Sequence, residues 1–256
     1  MSAGDVQLGC GLIRIGRPWG AVSQEPIDAG AAQELLETAL VLGIVCFDTA
    51  PAYGDSERVL GRFLRGLTAA ERGRLCVATK VGEHWVAESG TTVVDHRVDA
   101  ARRSIEQSLD RLGSIDVLQV HKASASLLAS DELQPLLALA SEYGIPRVGA
   151  SVSDLAAFEL ARALRAFDVL QFPFNRLHDD FGPALDTLAY DRIVPFVNRP
   201  MAMGALDEPR ASFGFVLRRM SEGVVLTGTA DLDHLRENVA AFELARRDVA
   251  DDGASR

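Results

Sequence analysis

Residues 44–61 read IVCFDTAPAYGDSERVLG. A short apolar run ends on an acid, Asp48; a tyrosine, Tyr53, follows in a Pro/Gly loop, and a helix start comes after it. Two later runs share this design: LCVATK closes on Lys80, and IDVLQVH closes on His121. Runs that are apolar on successive rather than alternate residues suit parallel strands covered on both faces. An acid, a phenol, an ammonium and an imidazole, each at or just past the end of a buried strand, have the makings of a proton-transfer site.

Working outward, short β-branched runs alternate with segments of helical period along nearly the whole chain. The strand candidates are 7–11, 44–48, 74–80, 115–121, 147–151, 168–172, 193–197 and 223–227. The clearest helix covers 96–112, where Val98, Ala101, Ile105, Leu109 and Leu112 share one face. The last segment repeats the pattern with Leu232, Leu235, Val239 and Phe242 behind an N-cap candidate, Asp231. Eight such units in 256 residues predict an α/β fold, a closed (β/α)8 TIM barrel, rather than an open doubly wound sheet. Seven strand candidates end in a polar residue: Asp48, Lys80, His121, Ser151, Gln171, Asn198 and Thr227. In a barrel these ends converge on the face where active sites of this fold lie. No linker or low-complexity tract divides the chain, so 1–256 reads as a single domain, with a solvated tail from about Arg246.

Composition limits the partners. The hydrophobic content of 48% is ample for a full core, and the net charge of −10 argues against a nucleic-acid or anionic-membrane surface. The N-terminus MSAGDVQLGCG has neither a basic region nor a long apolar one, so it does not read as a signal peptide. No apolar run approaches the roughly 18 residues of a spanning helix. Cys10, Cys46 and Cys76 lie in apolar runs and read as buried reduced thiols of a cytoplasmic protein. His84, His96, His178 and His234 show no ligand spacing, so no metal site is expected. Gly9, Gly11 and Gly16 have the wrong spacing for a dinucleotide fingerprint, and the eight-unit count opposes that reading.

Tyr53 is the candidate general acid. A free phenol has a pKa of about 10 and parts with its proton reluctantly at neutral pH. A buried Lys80 ammonium at the next strand end would stabilise the phenolate and lower that value. Asp48 would pair with Lys80 so that its buried charge is tolerated. His121 would offer a ring N–H to hold a carbonyl oxygen near the phenol.

FDTAPAYGDSERVLG, ATKVG, SLDRLGSIDVLQVH, RVGAS, VLQFPFN and GVVLTGTADLDHLRENVAAF resemble the successive signatures of the aldo-keto reductases, in order from about Gly9 to Phe242. The resemblance implies a (β/α)8 barrel with a tetrad of Asp48, Tyr53, Lys80 and His121, moving a hydride between a nicotinamide and the carbonyl of a small molecule. It implies NADPH as cofactor, with NADH as the alternative. Ser151 and Gln171 match residues that hold the carboxamide, though Val152 replaces the usual asparagine after the serine. Phe174 stands where an aromatic residue stacks on the nicotinamide ring. Thr227, Gly228 and Thr229 form a small-residue turn before a helix, a natural phosphate nest. Glu237 and Asn238 match an adenine-binding pair. Gly228 and His234 replace basic residues that read a 2′-phosphate, and Arg199 or Arg236 would compensate.

Departures from the family concern access. The N-terminal hairpin and the C-terminal loops read as shortened. The expectation is an open, shallow pocket lined by Trp19, His84, Trp85, Phe174, Met201 and Met203. Three other activities fit some of these residues: a sugar (aldose) dehydrogenase running oxidatively, a Schiff-base lyase using Lys80, and a non-catalytic binding protein.

Overall fold

In the computed structural model, which describes residues 5–19 and 27–254, eight parallel strands close into a barrel. In chain order the strands are β1 (Val6–Gly11), β2 (Cys46–Asp48), β3 (Cys76–Val81), the hairpin pair β4 (Glu83–Val86) and β5 (Thr91–Val94), β6 (Val117–Val120), β7 (Val148–Ser151), β8 (Val169–Pro173), β9 (Val194–Asn198) and β10 (Gly223–Thr227). Around the barrel the order is β1-β10-β9-β8-β7-β6-β3-β2, and β1 returns to β2 to complete the circle. Helices stand between the strands, which makes a single-domain (β/α)8 TIM barrel. Each of the eight strand candidates overlaps a barrel strand, with ends that differ by a residue or two.

Two apolar layers hold this shape. Cys46, Cys76, Ala78, Val117, Val169, Phe196, Val224 and Leu226 form one cluster of buried residues contributed by neighbouring strands. A larger cluster joins the strands to the helices, including Phe47, Phe63, Ile105, Phe158, Phe172 and Phe213. Packing is tight enough to dictate residue size: a Cβ on Gly9 would lie 2.6 Å from Val224 Cγ1 and 2.8 Å from Leu226 Cδ2. The three cysteines are free and buried.

The helix Val98–Leu112 buries Ala101, Ile105, Ser108 and Leu112, with Val98 and Leu109 packed at the margin of the core. The last helix, Leu232–Ala254, is capped by Asp231, whose Oδ1 accepts from the N–H groups of Asp233 and His234 at 2.9 Å. This helix corrects the expectation of a solvated tail from Arg246. It continues to Ala254, with Ala245 buried, Val249 packed on the core and Asp248 paired with Arg210 at 2.7 Å. The charges of RRDVADD suggest a frayed end, but the apolar stripe of Phe242, Ala245 and Val249 carries on beneath them. Residues 255 and 256 lie outside the described residues.

The hairpin β4–β5 is the second departure, since this segment reads as a loop. It leaves β3 through Gly82, whose φ of +102° is available to glycine and whose missing side chain makes room for the ring of His96. Among the described residues no helix is long and apolar enough to cross a membrane.

Candidate active site

Asp48 ends β2, Lys80 is the last residue but one of β3, and His121 directly follows β6; the three strands are adjacent in the barrel wall. Asp48 lies opposite Ala78 in the register, and Lys80 opposite Gln119. Lys80 Nζ donates to Asp48 Oδ2 at 2.6 Å and to the Thr49 carbonyl oxygen at 3.0 Å. Gln119 Nε2 donates to the other Asp48 oxygen at 2.9 Å. Both oxygens of a buried carboxylate are thereby engaged, which is the condition for keeping charge in such a place. Tyr53 ends a one-turn 3-10 helix, Pro51–Tyr53. Its ring meets His121 edge-on, with centroids 5.9 Å apart, and its centroid lies 4.7 Å from Lys80 Nζ. Two glycines dock this turn: a Cβ on Gly16 would sit 1.8 Å from the Tyr53 carbonyl oxygen, and one on Gly54, at φ +61°, would sit 2.2 Å from the Gly16 oxygen. The structure therefore brings all four tetrad candidates together.

The protonation states follow from burial and neighbours. Burial works to lower the pKa of Lys80, but the Asp48 carboxylate and the Tyr53 phenol outweigh it, and the net shift is upward. Lys80 is thus a firmly held ammonium, a poor nucleophile for Schiff-base chemistry. For Tyr53 burial raises the pKa more than the Lys80 ammonium lowers it. The expectation of a net lowering is corrected here, because desolvation of the phenolate exceeds its attraction to one ammonium. Burial, and then the charges of Lys80, Lys122, His96 and Arg17, push His121 well below its usual value. The imidazole is neutral at pH 7.

Two site residues escape a reading of the sequence. Gln119 holds Asp48 from β6, two positions before His121 and so on the same face of the strand. Glu83, from β4, is buried beside His121: its Oε2 lies 3.1 Å from Nδ1 and its Oε1 lies 2.8 Å from Lys122 Nζ. Nδ1 is nonetheless buried without a hydrogen-bond partner among the described residues. A ligand must therefore meet the imidazole by its other edge. His96 Nε2 contacts the His121 carbonyl oxygen at 2.7 Å and fastens the end of the hairpin to β6. Alternation along Gln119 and His121 was a signal for the first residue. Glu83 depends on the turn at Gly82, which has no short-range signature.

The cofactor-side candidates divide. Ser151 Oγ donates to Gln171 Oε1 at 3.1 Å, joining the end of β7 to the middle of β8. Beside them on β9, Asn198 Oδ1 is buried with no hydrogen-bond partner among the described residues. An amide-bearing ring fits there, because the Gln171 amide N–H groups and the Asn198 oxygen are complementary to a carboxamide. Thr227 is buried and accepts from Asn238 Nδ2 at 3.4 Å; Gly228, Glu237 and His234 are exposed nearby. Thr229 Oγ1 accepts from the Asp231 N–H at 3.0 Å. Arg199 is exposed at the end of β9, whereas Arg236 is engaged by Asp233 at 2.9 Å.

Phe174 requires correction as the stacking residue. It is 1% exposed, and its ring lies 5.2 Å from that of Phe215 in a stacked arrangement, so its face is already covered. His84 also departs from the expected pocket lining. Along β4, Glu83 and Trp85 turn toward the site, and alternation leaves His84 on the other face, exposed. Trp19 and Trp85 meet across Arg17. Met201 packs against the core, and Met203 is half-exposed at a φ of +59°. Among the described residues no cluster of three or more His, Cys, Asp or Glu side chains is placed to hold a metal ion.

The chain is similar to known proteins. The model of the Aldo/keto reductase family matches residues 7–212. Pyridoxine 4-dehydrogenase of Escherichia coli is 26% identical, over 93% of this chain and 90% of that one. L-galactose dehydrogenase of Arabidopsis thaliana is 36% identical over a shorter stretch, 44% of this chain and 33% of that one. A solved structure from Pseudomonas aeruginosa, PA4992, described as an aldo-keto reductase, superposes with a TM-score of 0.79 at 33% identity, covering 93% of this chain and 89% of its own. A glycerol dehydrogenase from Gluconobacter oxydans shares the fold, with a TM-score of 0.72 at 22% identity, over 96% of this chain and 90% of its own. The chain belongs to the aldo/keto reductase family, and is a nicotinamide-using oxidoreductase of small-molecule carbonyl or CH–OH groups.

Proposed function

We propose that the chain reduces the carbonyl of an aldehyde or ketone with NADPH, and that Tyr53 supplies the proton. The observation that carries this reading is the Lys80 ammonium, held by Asp48 and lying 4.7 Å from the Tyr53 ring centroid. A raised phenol pKa keeps the proton on Tyr53 through the neutral range. As it leaves, the buried Lys80 charge offsets the phenolate that forms. Neutral His121, with Nδ1 turned to Glu83, presents its other edge to the carbonyl oxygen and orients it toward the phenol. Asp48 and Gln119 keep Lys80 in place and take no proton themselves.

The nicotinamide, when bound, supplies the hydride that reaches the carbonyl carbon. Ser151, Gln171 and Asn198 would hold its carboxamide, and the Thr227–Thr229 turn its phosphates. NADPH is preferred over NADH on the family resemblance, and Arg199, exposed at the end of β9, is the candidate for reading its 2′-phosphate. The same residues serve the reverse direction, with phenolate Tyr53 accepting the alcohol proton.

Tyr53→Phe tests the assignment. Turnover should fall by about 10²- to 10⁴-fold, the usual contribution of a positioned acid. The rise in melting temperature with NADPH should persist, because the phenol does not hold the cofactor. A Tyr53→Phe enzyme with parental turnover would remove Tyr53 from the mechanism.

A further inference from the structure

Arg17 stands in the loop after β1, in the stretch GRPWG, and the mechanism above does not use it. Its guanidinium carbon lies 4.5 Å from the ring centroid of Trp85 and 5.1 Å from that of Trp19. These are the chain's two tryptophans. Arg14 Nη1 donates to the Trp19 carbonyl oxygen at 2.5 Å and fixes the turn that carries one of them. The Gly16–Gly54 contact presses the loop onto the Tyr53 turn, so closely that a Cβ on Gly54 would be 3.3 Å from Arg17 Cβ.

The arginine has no paired anion among the described residues, although the charge of Glu83 reaches it from a distance. Among the described residues no carboxylate lies within 4.0 Å of it, and its Nε is buried without a hydrogen-bond partner. Its field nevertheless reaches the site, acting on Tyr53, Glu83 and His121. A structural arginine normally spends its N–H groups on carboxylates or carbonyls. This one is held by two aromatic rings, which leaves its terminal N–H groups, Nη1 and Nη2, as the donors for a ligand. The planar fork matches an anion with two oxygens.

We propose that Arg17 is a specificity-determining residue that binds the carboxylate or phosphate group of the carbonyl substrate, with Trp19 and Trp85 holding the guanidinium in place. The inference rests on the carbonyl-reduction reading for the word substrate, but the anion site can be tested without turnover. Because Trp19 and Trp85 are the only tryptophans, intrinsic fluorescence reports directly on the surroundings of Arg17.

The test has a binding arm and a kinetic arm, each on the parent, Arg17→Met and Arg17→Lys. In the first, tryptophan emission is titrated with benzoate, inorganic phosphate and neutral benzamide. A saturable change with benzoate or phosphate but not benzamide, lost in Arg17→Met and weakened in Arg17→Lys, supports the proposal, and the better anion identifies the group. In the second, the ratio of kcat/KM for 4-carboxybenzaldehyde over 4-methylbenzaldehyde should fall by roughly 10- to 100-fold in Arg17→Met, the scale of a lost charge-assisted contact. An anion response that survives in Arg17→Met overturns it, as does an unchanged ratio. A tenfold loss of NADPH affinity with the ratio intact would also overturn it, placing Arg17 on the cofactor. A tryptophan response to anions with no aldehyde turnover would sink the reductase reading and leave the anion site standing.

Discussion

Tyr53 and His121 are displaced in opposite directions, and both shifts favour the neutral form at pH 7. For His121 this has a consequence for stability. An unfolded histidine titrates near 6.5, and the folded one lies well below. Below pH 6.5 the unfolded chain therefore binds more protons, so stability is lost as pH falls toward the folded value. Melting curves between pH 5 and 8 should show a steeper acid decline for the parent than for His121→Asn; parallel curves would contradict the assignment. That the four tetrad candidates would be neighbours was legible because each lies at or just past the end of a strand run. Gln119, Glu83 and Arg17 were not equally so. Gln119 was available from alternation with His121, but Glu83 needs the turn at Gly82 and Arg17 needs two tryptophans from separate loops to define its place. Phe174 misled because its position after β8 says nothing of Phe215, which comes from a distant helix and covers its ring.

Between elements, one buried acid does much of the joining. Glu57, in the first turn of the helix Ser56–Arg65, is wholly buried and accepts from Thr79 Oγ1 and Ser108 Oγ at 2.7 Å and from Arg111 Nη1 at 2.9 Å. It ties that helix to β3 and to the helix Val98–Leu112. Glu57→Ala leaves a guanidinium and two hydroxyls without their acceptor, and should cost about 3–5 kcal/mol in urea unfolding. The two helices also approach closely at Gly61, where a Cβ would lie 1.9 Å from the Arg111 carbonyl oxygen. Gly61→Ala should therefore destabilise by about 1–3 kcal/mol, the range for overpacking, although alanine is the better helix former. A gain in the same unfolding experiment would refute this. The barrel strands were readable because burial on both faces leaves uninterrupted apolar runs. The hairpin β4–β5 was not: β5 is largely exposed, so its sequence carries no burial pattern. The last helix was cut short for the converse reason, since its charges hide a thin stripe of core contacts.

For the molecule as a whole, cofactor binding should appear as added stability. A ligand at about 100 times its dissociation constant contributes roughly 2.7 kcal/mol. A larger thermal shift with NADPH than with NADH would support the 2′-phosphate reading, and the reverse order would overturn it. The barrel itself closes where β1 meets β10, with Val6 opposite Gly223 and Cys10 opposite Thr227. The join is therefore made by residues at opposite ends of the sequence. Synthesis runs from one end to the other, so a growing chain must wait for residue 227 before β1 finds its second neighbour. Until then β1 and β9 each offer an open edge to other chains. The turn proposed to hold the cofactor's phosphates begins at Thr227 on that same late strand, so by that proposal the cofactor fits a finished barrel and not a partial one. Slow translation or early termination before residue 223 would leave a product inclined to aggregate, and nicotinamide could not rescue it.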